Sequence, residues 1–222
     1  MKVIVSCLFA LTICNTMVAQ NVGIGVPIPA QKLDIAGNLK ISGAIMPGGN
    51  AGTAGQILIS NGAGNTPVWE GPVAFMAYQA MDANVSSNAY GALSALTEVF
   101  DEGNDFNNSV FTAPVNGIYH FEASVKWGTN NSSSNYSQTS IEKCDNAGSP
   151  CTKLASSKMN NQTSAQHFLS ATVKLVAGDK IKVFVVHTNS EGNSRTLEGK
   201  DPDSAAFTSG NISTYFSGHL VR

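Results

Sequence analysis

The run Phe111-Thr112-Ala113-Pro114-Val115-Asn116-Gly117-Ile118-Tyr119-His120-Phe121 narrows the folds open to this chain more than any other stretch. Its first half is extended and broken by a proline. Its second half turns at Val115-Asn116-Gly117 and launches a patterned strand. Tyr119, Phe121, Ala123, Val125 and Trp127 point one way, and His120, Glu122, Ser124 and Lys126 the other. That period of two marks a strand with one face in a core. An Asn-Gly pair ahead of it is a strong turn signal, because both residues tolerate positive φ. From residue 73 onward the chain reads as short strands parted by polar loops, with no segment patterned as a helix. A second strand follows from His167, Leu169, Ala171, Val173 and Leu175 alternating with Phe168, Ser170, Thr172 and Lys174.

Several motifs recur in one order. Ala74-Phe75-Met76-Ala77-Tyr78 opens the series, followed by Val99-Phe100-Asp101 with Gly103 and Phe106. Then come Phe111, Pro114, Gly117, Tyr119 and Phe121. Leu175-Val176-Ala177-Gly178-Asp179-Lys180-Ile181-Lys182-Val183 and Phe216-Ser217-Gly218-His219-Leu220 close it. Together they resemble the globular head of complement C1q, a family related to tumour necrosis factor, over roughly residues 73 to 222. The resemblance implies an all-β jelly-roll sandwich in which Phe75, Tyr78, Phe100, Phe106, Phe111, Tyr119, Phe121, Phe216 and Leu220 build the core. It also makes Gly178-Asp179 a family turn and Gly218 part of a late, central strand. Heads of this family assemble as homotrimers, which is the assembly implied here. The glycines lack a Gly-X-Y period, so the collagen stem of complement is missing and complement-like effector recruitment is not expected.

Ahead of the head lie two further segments. Lys2, an apolar run from Val3 to Val18 and a small residue at Ala19 read as a secretory signal peptide over 1–19. The run is shorter than the ~20 apolar residues of a membrane span, and no later segment qualifies. A retained anchor is the alternative. Residues 20–72 are rich in Gly, Ala, Asn and Pro, with apolar pieces too short to bury a core alone: Val22-Gly23-Ile24, Lys32-Leu33-Asp34-Ile35, Leu39-Lys40-Ile41 and Gln56-Ile57-Leu58-Ile59. The opening Asn21-Val22-Gly23-Ile24-Gly25 is similar to the start of many exported proteins of Bacteroidetes-type bacteria. Gly52-Thr53-Ala54-Gly55-Gln56 onward is similar to elements of fibre-like stalks. An irregular, β-containing stalk is expected, with a flexible linker as the alternative. Gly23-Ile24-Gly25 is no nucleotide fingerprint, since Ile28 holds the third glycine position and Pro27 and Pro29 obstruct a helix start.

Charge excludes some partners. A formal net charge of −2, with 13% charged residues, leaves no electrostatic footprint for nucleic acid. Cys144 and Cys151 flank Asp145-Asn146-Ala147-Gly148-Ser149-Pro150, and in an exported chain they read as a disulfide closing a hairpin tip, with two free thiols as the alternative. On Ile181–His187, Ile181, Val183 and Val185 occupy one face while Phe184 and Val186 make the other apolar too. A sheet with water on one side should not be apolar on both. That second face therefore meets either a neighbouring subunit, making Phe184 and Val186 trimer-interface candidates, or a covering loop.

Catalytic constellations are not visible: no Gly-x-Ser-x-Gly elbow and no His-Glu-x-x-His occur. His120, His167, His187 and His219 are scattered over strands, and His187 hints at an edge or interface. No cofactor is expected. Asp101-Glu102 with Asp105, and Asp201 with Asp203, leave calcium open without an assignable ligand set. The long polar segments 128–140 and 188–206 are the expected ligand-facing loops. The reading is a non-enzymatic, secreted or surface-displayed binding or adhesion module, a homotrimer meeting a protein or glycan ligand. A structural fibre tip or envelope component is the alternative, and a carbohydrate-active hydrolase a third.

Overall fold

The computed structural model describes residues 21–129, 134–145, 149–160, 164–199 and 212–221. The chain divides into two compact units, Met1–Gly52 and Thr53–Arg222. In the first, β1 (Val22–Ile24) pairs in parallel with β2 (Leu33–Ile35), Val22 opposite Leu33 and Ile24 opposite Ile35. In the second, β3 (Ile57–Ile59) and β4 (Val68–Glu70) form a small antiparallel pair. The head strands follow: β5 (Ala74–Gln79), β6 (Ala83–Val85), β7 (Gly91–Ala92), β8 (Leu96–Asp101), β9 (Phe106–Asn107) and β10 (Val110–Thr112). After them come β11 (Gly117–Trp127), β12 (Ser134–Cys144), β13 (Cys151–Asn160), β14 (Ala165–Leu175), β15 (Lys180–Asn189), β16 (Arg195–Leu197) and β17 (Tyr215–Leu220).

Two sheets face each other. One runs β14–β11–β17–β5–β8, with β16 joining β11 at Trp127 and carrying β6. The other runs β9–β10–β15–β12–β13, with β7 beside β15 at Val185. The chain crosses from β11 to the β12–β13 hairpin, back to β14, over to β15 and back to β17. Successive strands that change sheet in this way make an antiparallel jelly-roll sandwich.

Burial follows the alternation read from the sequence. Tyr119, Phe121, Ala123, Val125 and Trp127 are all buried, as are His167, Leu169 and Leu175 on β14. Phe75 stands at the centre of the core. Its ring lies 4.6 Å from Phe106, 5.1 Å from Phe111 and 5.0 Å from Phe216. Each such side chain, moved out of water, contributes about 1.5–3 kcal/mol.

The motifs meet at one end of this core. Gly178 has φ +92°, in the left-handed region that favours glycine. Asp179 accepts the Val176 N–H at 2.9 Å. Ala113 N–H donates to the Asp179 carbonyl, and Gly178 N–H returns a bond to Ala113. Burial alone would raise the Asp179 pKa, but the bonds from Lys143 and Val176 hold it below the ordinary value.

Some expectations change. Neither Asn116 nor Gly117 has positive φ. A Cβ at Gly117 would instead lie 2.5 Å from Leu220 Cδ1, the movable end of a half-buried side chain, so a substitution there would push Leu220 aside. Phe100 and Tyr78 are not core: Phe100 is 43% exposed, and Tyr78 looks outward from β5. The alternation of β5 and β8 turns both away from Phe75.

Candidate functional site

The expected ligand-facing segments are shorter than they read. Residues 134–140 belong to β12, and Arg195–Leu197 form β16. Both hid in polar sequence because their inward side chains are Ser137, Thr139 and Arg195 rather than aliphatic groups. Residues 130–133 and 200–206 lie outside the described residues, as do Asp201 and Asp203.

Beneath these segments sits a polar cluster inside the sandwich, which sequence reasoning missed. Arg195 is only 2% exposed. Its guanidinium lies 5.6 Å from the Trp127 ring, and its Nε donates to the Gly128 carbonyl at 3.1 Å. His187 is fully buried, which overturns the hint of an edge position. Its ring meets Trp127 edge-on at 5.4 Å, and its Nε2 donates to the Val85 carbonyl at 2.8 Å. His167 lies between Ser137 Oγ (3.0 Å) and Ser157 Oγ (2.9 Å). Burial, with Arg195 nearby, lowers His167 to about 4. Burial also lowers His187, against the bond to Val85. Both rings are therefore neutral at pH 7, beside a permanent cation. The cluster ties together β6, β11, β12, β13, β14, β15, β16 and the segment leaving β11 at Gly128. Alternation did place His167 inward, but nothing in Gly-Asn-Ser-Arg marked Arg195 as a core residue.

A second site lies on the outward face of the β10–β15–β12–β13 sheet. The segment before β7 lays Tyr90 over Phe184, ring on ring at 5.2 Å and 14°. The Tyr90 hydroxyl donates to the Glu142 carboxylate, which also accepts Ser140 Oγ–H at 2.6 Å. Burial first, then the bond to Glu142, push the Tyr90 pKa up to about 12, so it remains a donor. Lys153 on β13 and Lys182 on β15 stand in register on either side of Glu142. Lys153 Nζ reaches within 5.4 Å of the Tyr90 ring centre. These groups, with Ser149 and Cys151, line a cleft of about 580 Å³. Such a mixture of aromatic wall, hydroxyls, buried carboxylate and two ammonium groups suits hydrogen bonding to a polar ligand.

Of the other sequence candidates, Cys151 and Phe184 line this cleft. Cys144 and Cys151 are joined by a disulfide across the last register pair of β12 and β13, closing the hairpin as expected. Phe184 is half-buried beneath Tyr90, and Val186 is 6% exposed within the chain. Much of the second apolar face of β15 is thus covered by its own chain. In the Asp101–Asp105 loop, Asp101 accepts the N–H groups of Asp105 (3.1 Å) and Phe106 (2.9 Å).

The opposite sheet turns a different face outward. Its register lines up Tyr78, Tyr215, Ser124 and Phe168 across β5, β17, β11 and β14. Phe168 is 66% exposed, an unusual position for a large aromatic in mid-strand. Ser124 is fully buried, donating to the Ser213 carbonyl at 2.9 Å and accepting from Gln166 at 3.1 Å.

The strand order defines the class: an antiparallel jelly-roll β-sandwich. No family model matches the chain, and no curated protein does. Among solved structures the chain is similar to the Eiger tumour necrosis factor of S. frugiperda, at 11% identity and a TM-score of 0.49, covering 68% of this chain and 93% of that one. It is similar to murine APRIL at 10% identity and 0.47, covering 68% and 99%. It is similar to the globular domain of zebrafish complement 1qA at 15% identity and 0.44, covering 68% and 98%. Among the described residues no helix is long and apolar enough to cross a membrane.

Proposed function

We propose that this chain is a non-enzymatic binding or adhesion module, secreted or displayed at a cell surface, acting as a homotrimer through its jelly-roll head. The observation that carries the reading is the aromatic row on the outward face of the β14–β11–β17–β5–β8 sheet. Phe168 at its end is two-thirds exposed in a single copy, and the small Ser124 separates it from Tyr215, with Tyr78 beyond. Faces of that composition favour association with another surface. Phe184 and Val186 take a lesser part in this reading, because Tyr90 already covers Phe184.

Three heads displayed together present three equivalent clefts, so weak contacts at each combine through effective concentration. The two interior histidines support a binding role. They are neutral, buried and committed to serines and a backbone carbonyl, where no substrate reaches them. A glycan and protein array probed with the purified chain tests the reading. Saturable binding that falls when Lys182 is replaced by Glu is expected; an empty array favours a structural fibre tip.

A further inference from the structure

Among the described residues of the first unit, 21–52, none is buried. Their regular structure is one parallel pair of three-residue strands and a single helical turn at Pro47–Gly49. A two-stranded ribbon of that size is not stable by itself in water. Yet the unit displays large apolar side chains at 47–87% exposure, among them Val22, Ile24, Ile28, Leu33, Leu39 and Ile41. The β1–β2 register sets Val22, Ile24, Leu33 and Ile35 on one face, with Gly23 and Asp34 on the other. Leu39-Lys40-Ile41 repeats the same apolar-x-apolar spacing and belongs to no strand.

We propose that this unit is an interaction surface whose occupant is the same segment of further copies of this chain, set parallel and in register so that the apolar pairs build one shared core. Three observations favour a copy over another partner. Residues 21–52 hold only Lys32, Asp34 and Lys40 as charged residues, too few to attract an anionic membrane or a charged protein. Val22/Ile24, Leu33/Ile35 and Leu39/Ile41 are alike, so symmetric copies bring each pair against its own equivalent and cover all of them together. The area also fits. About eight half-exposed aliphatic side chains offer roughly 400 Å² per copy, against the ~800 Å² per partner of a standard interface. The segment therefore completes an assembly that something else starts. In this respect the inference rests on the proposed homotrimer, whose heads raise the local concentration of the segments.

Reporter cysteines in the full chain test it: Leu39→Cys in this unit and, separately, Phe168→Cys on the head. Each is alkylated with N-ethylmaleimide and read peptide by peptide by mass spectrometry, beside light scattering of the same sample. Oxidation with copper–phenanthroline supplies the cross-linking arm. The expected result is an oligomer in which the thiol introduced at position 39 reacts at least tenfold more slowly than in urea and cross-links to its own equivalent. Full-rate alkylation at position 39 in a chain that is oligomeric overturns this inference and leaves the head trimer standing. A monomer overturns the homotrimer and this inference with it. Slow alkylation in a monomer also overturns it, since the segment would then be covered by its own chain.

Discussion

Replacing Gly218 by alanine probes the centre of the sandwich with one methyl group. Gly218 sits on β17 between β11 and β5, paired with Phe121 on one side and Phe75 on the other. A Cβ there would stand 2.4 Å from Phe121 Cδ1, 2.7 Å from Phe121 Cε1 and 2.8 Å from Phe75 Cε1. Carbon atoms in contact prefer ~3.5–4.0 Å, so both rings must retreat by about 1 Å. Neither is free to do so. Phe75 is boxed in by Phe106, Phe111 and Phe216, and Phe121 by Tyr119 and Phe216. Overpacking of this kind costs about 1–3 kcal/mol. Alanine recovers some of that, about 0.4–1 kcal/mol, by stiffening the unfolded chain. Gly218→Ala should therefore lose about 1–2 kcal/mol in urea unfolding with an unchanged m-value. Gly91→Ala is the control, because nothing lies within 4 Å of its Cβ and its φ is not positive. It should be neutral or slightly stabilising. Shrinking the obstacle in a Phe121→Leu/Gly218→Ala double variant should cost less than the two single changes added together. A Gly218→Ala chain as stable as Gly91→Ala, or strict additivity in the double variant, would refute the close approach.

Three further outcomes follow from the same structure. Because His167 is neutral in the fold down to about pH 4, while its unfolded form takes a proton near 6.5, the unfolded state binds more protons across that window. Stability should thus be full above pH 6.5 and fall by about 3 kcal/mol towards pH 4, with His187 acting in the same direction; a His167→Gln chain with the same pH slope would contradict this. The double variant Cys144→Ser/Cys151→Ser should remain folded by circular dichroism and lose about 2.5 kcal/mol from the opened eight-residue loop; collapse of the whole head would show the hairpin to be central. Deleting residues 212–222 removes β17 from between β11 and β5 and should abolish cooperative unfolding; a cooperative, soluble truncation would contradict the strand order.

The parts of the fold that sequence revealed are those where side-chain chemistry and periodicity agree. β11 alternates aromatic and polar residues so cleanly that its inward face could be named, and the closing motif placed Gly218 in a late, central strand, where it now meets Phe121 and Phe75. β12 and β16 escaped because their buried positions are Ser137, Thr139, Ser140 and Arg195, and Ser137 and Arg195 find their partners, His167 and Gly128, far away in sequence. Hydrogen bonding between such groups leaves no local pattern. The cleft was hidden for a similar reason. Tyr90 reads as part of a polar loop, and its stacking on Phe184 and bond to Glu142 depend on β7 lying beside β15. Phe184 was correctly read as needing a cover, but a single chain's spacing could not choose between its own loop and a neighbouring copy. Phe100 and Tyr78 show the converse error, since motif membership was taken for burial.

The central claim is a trimer built through the jelly-roll head, and light scattering of the purified chain at micromolar concentration, coupled to size exclusion, tests it most directly. A single species of three times the chain mass is expected, shifting to monomers when Phe168 on the exposed aromatic row is replaced by Asp. A stable monomer of the unaltered chain at that concentration would contradict both the assembly and the avidity that depends on it.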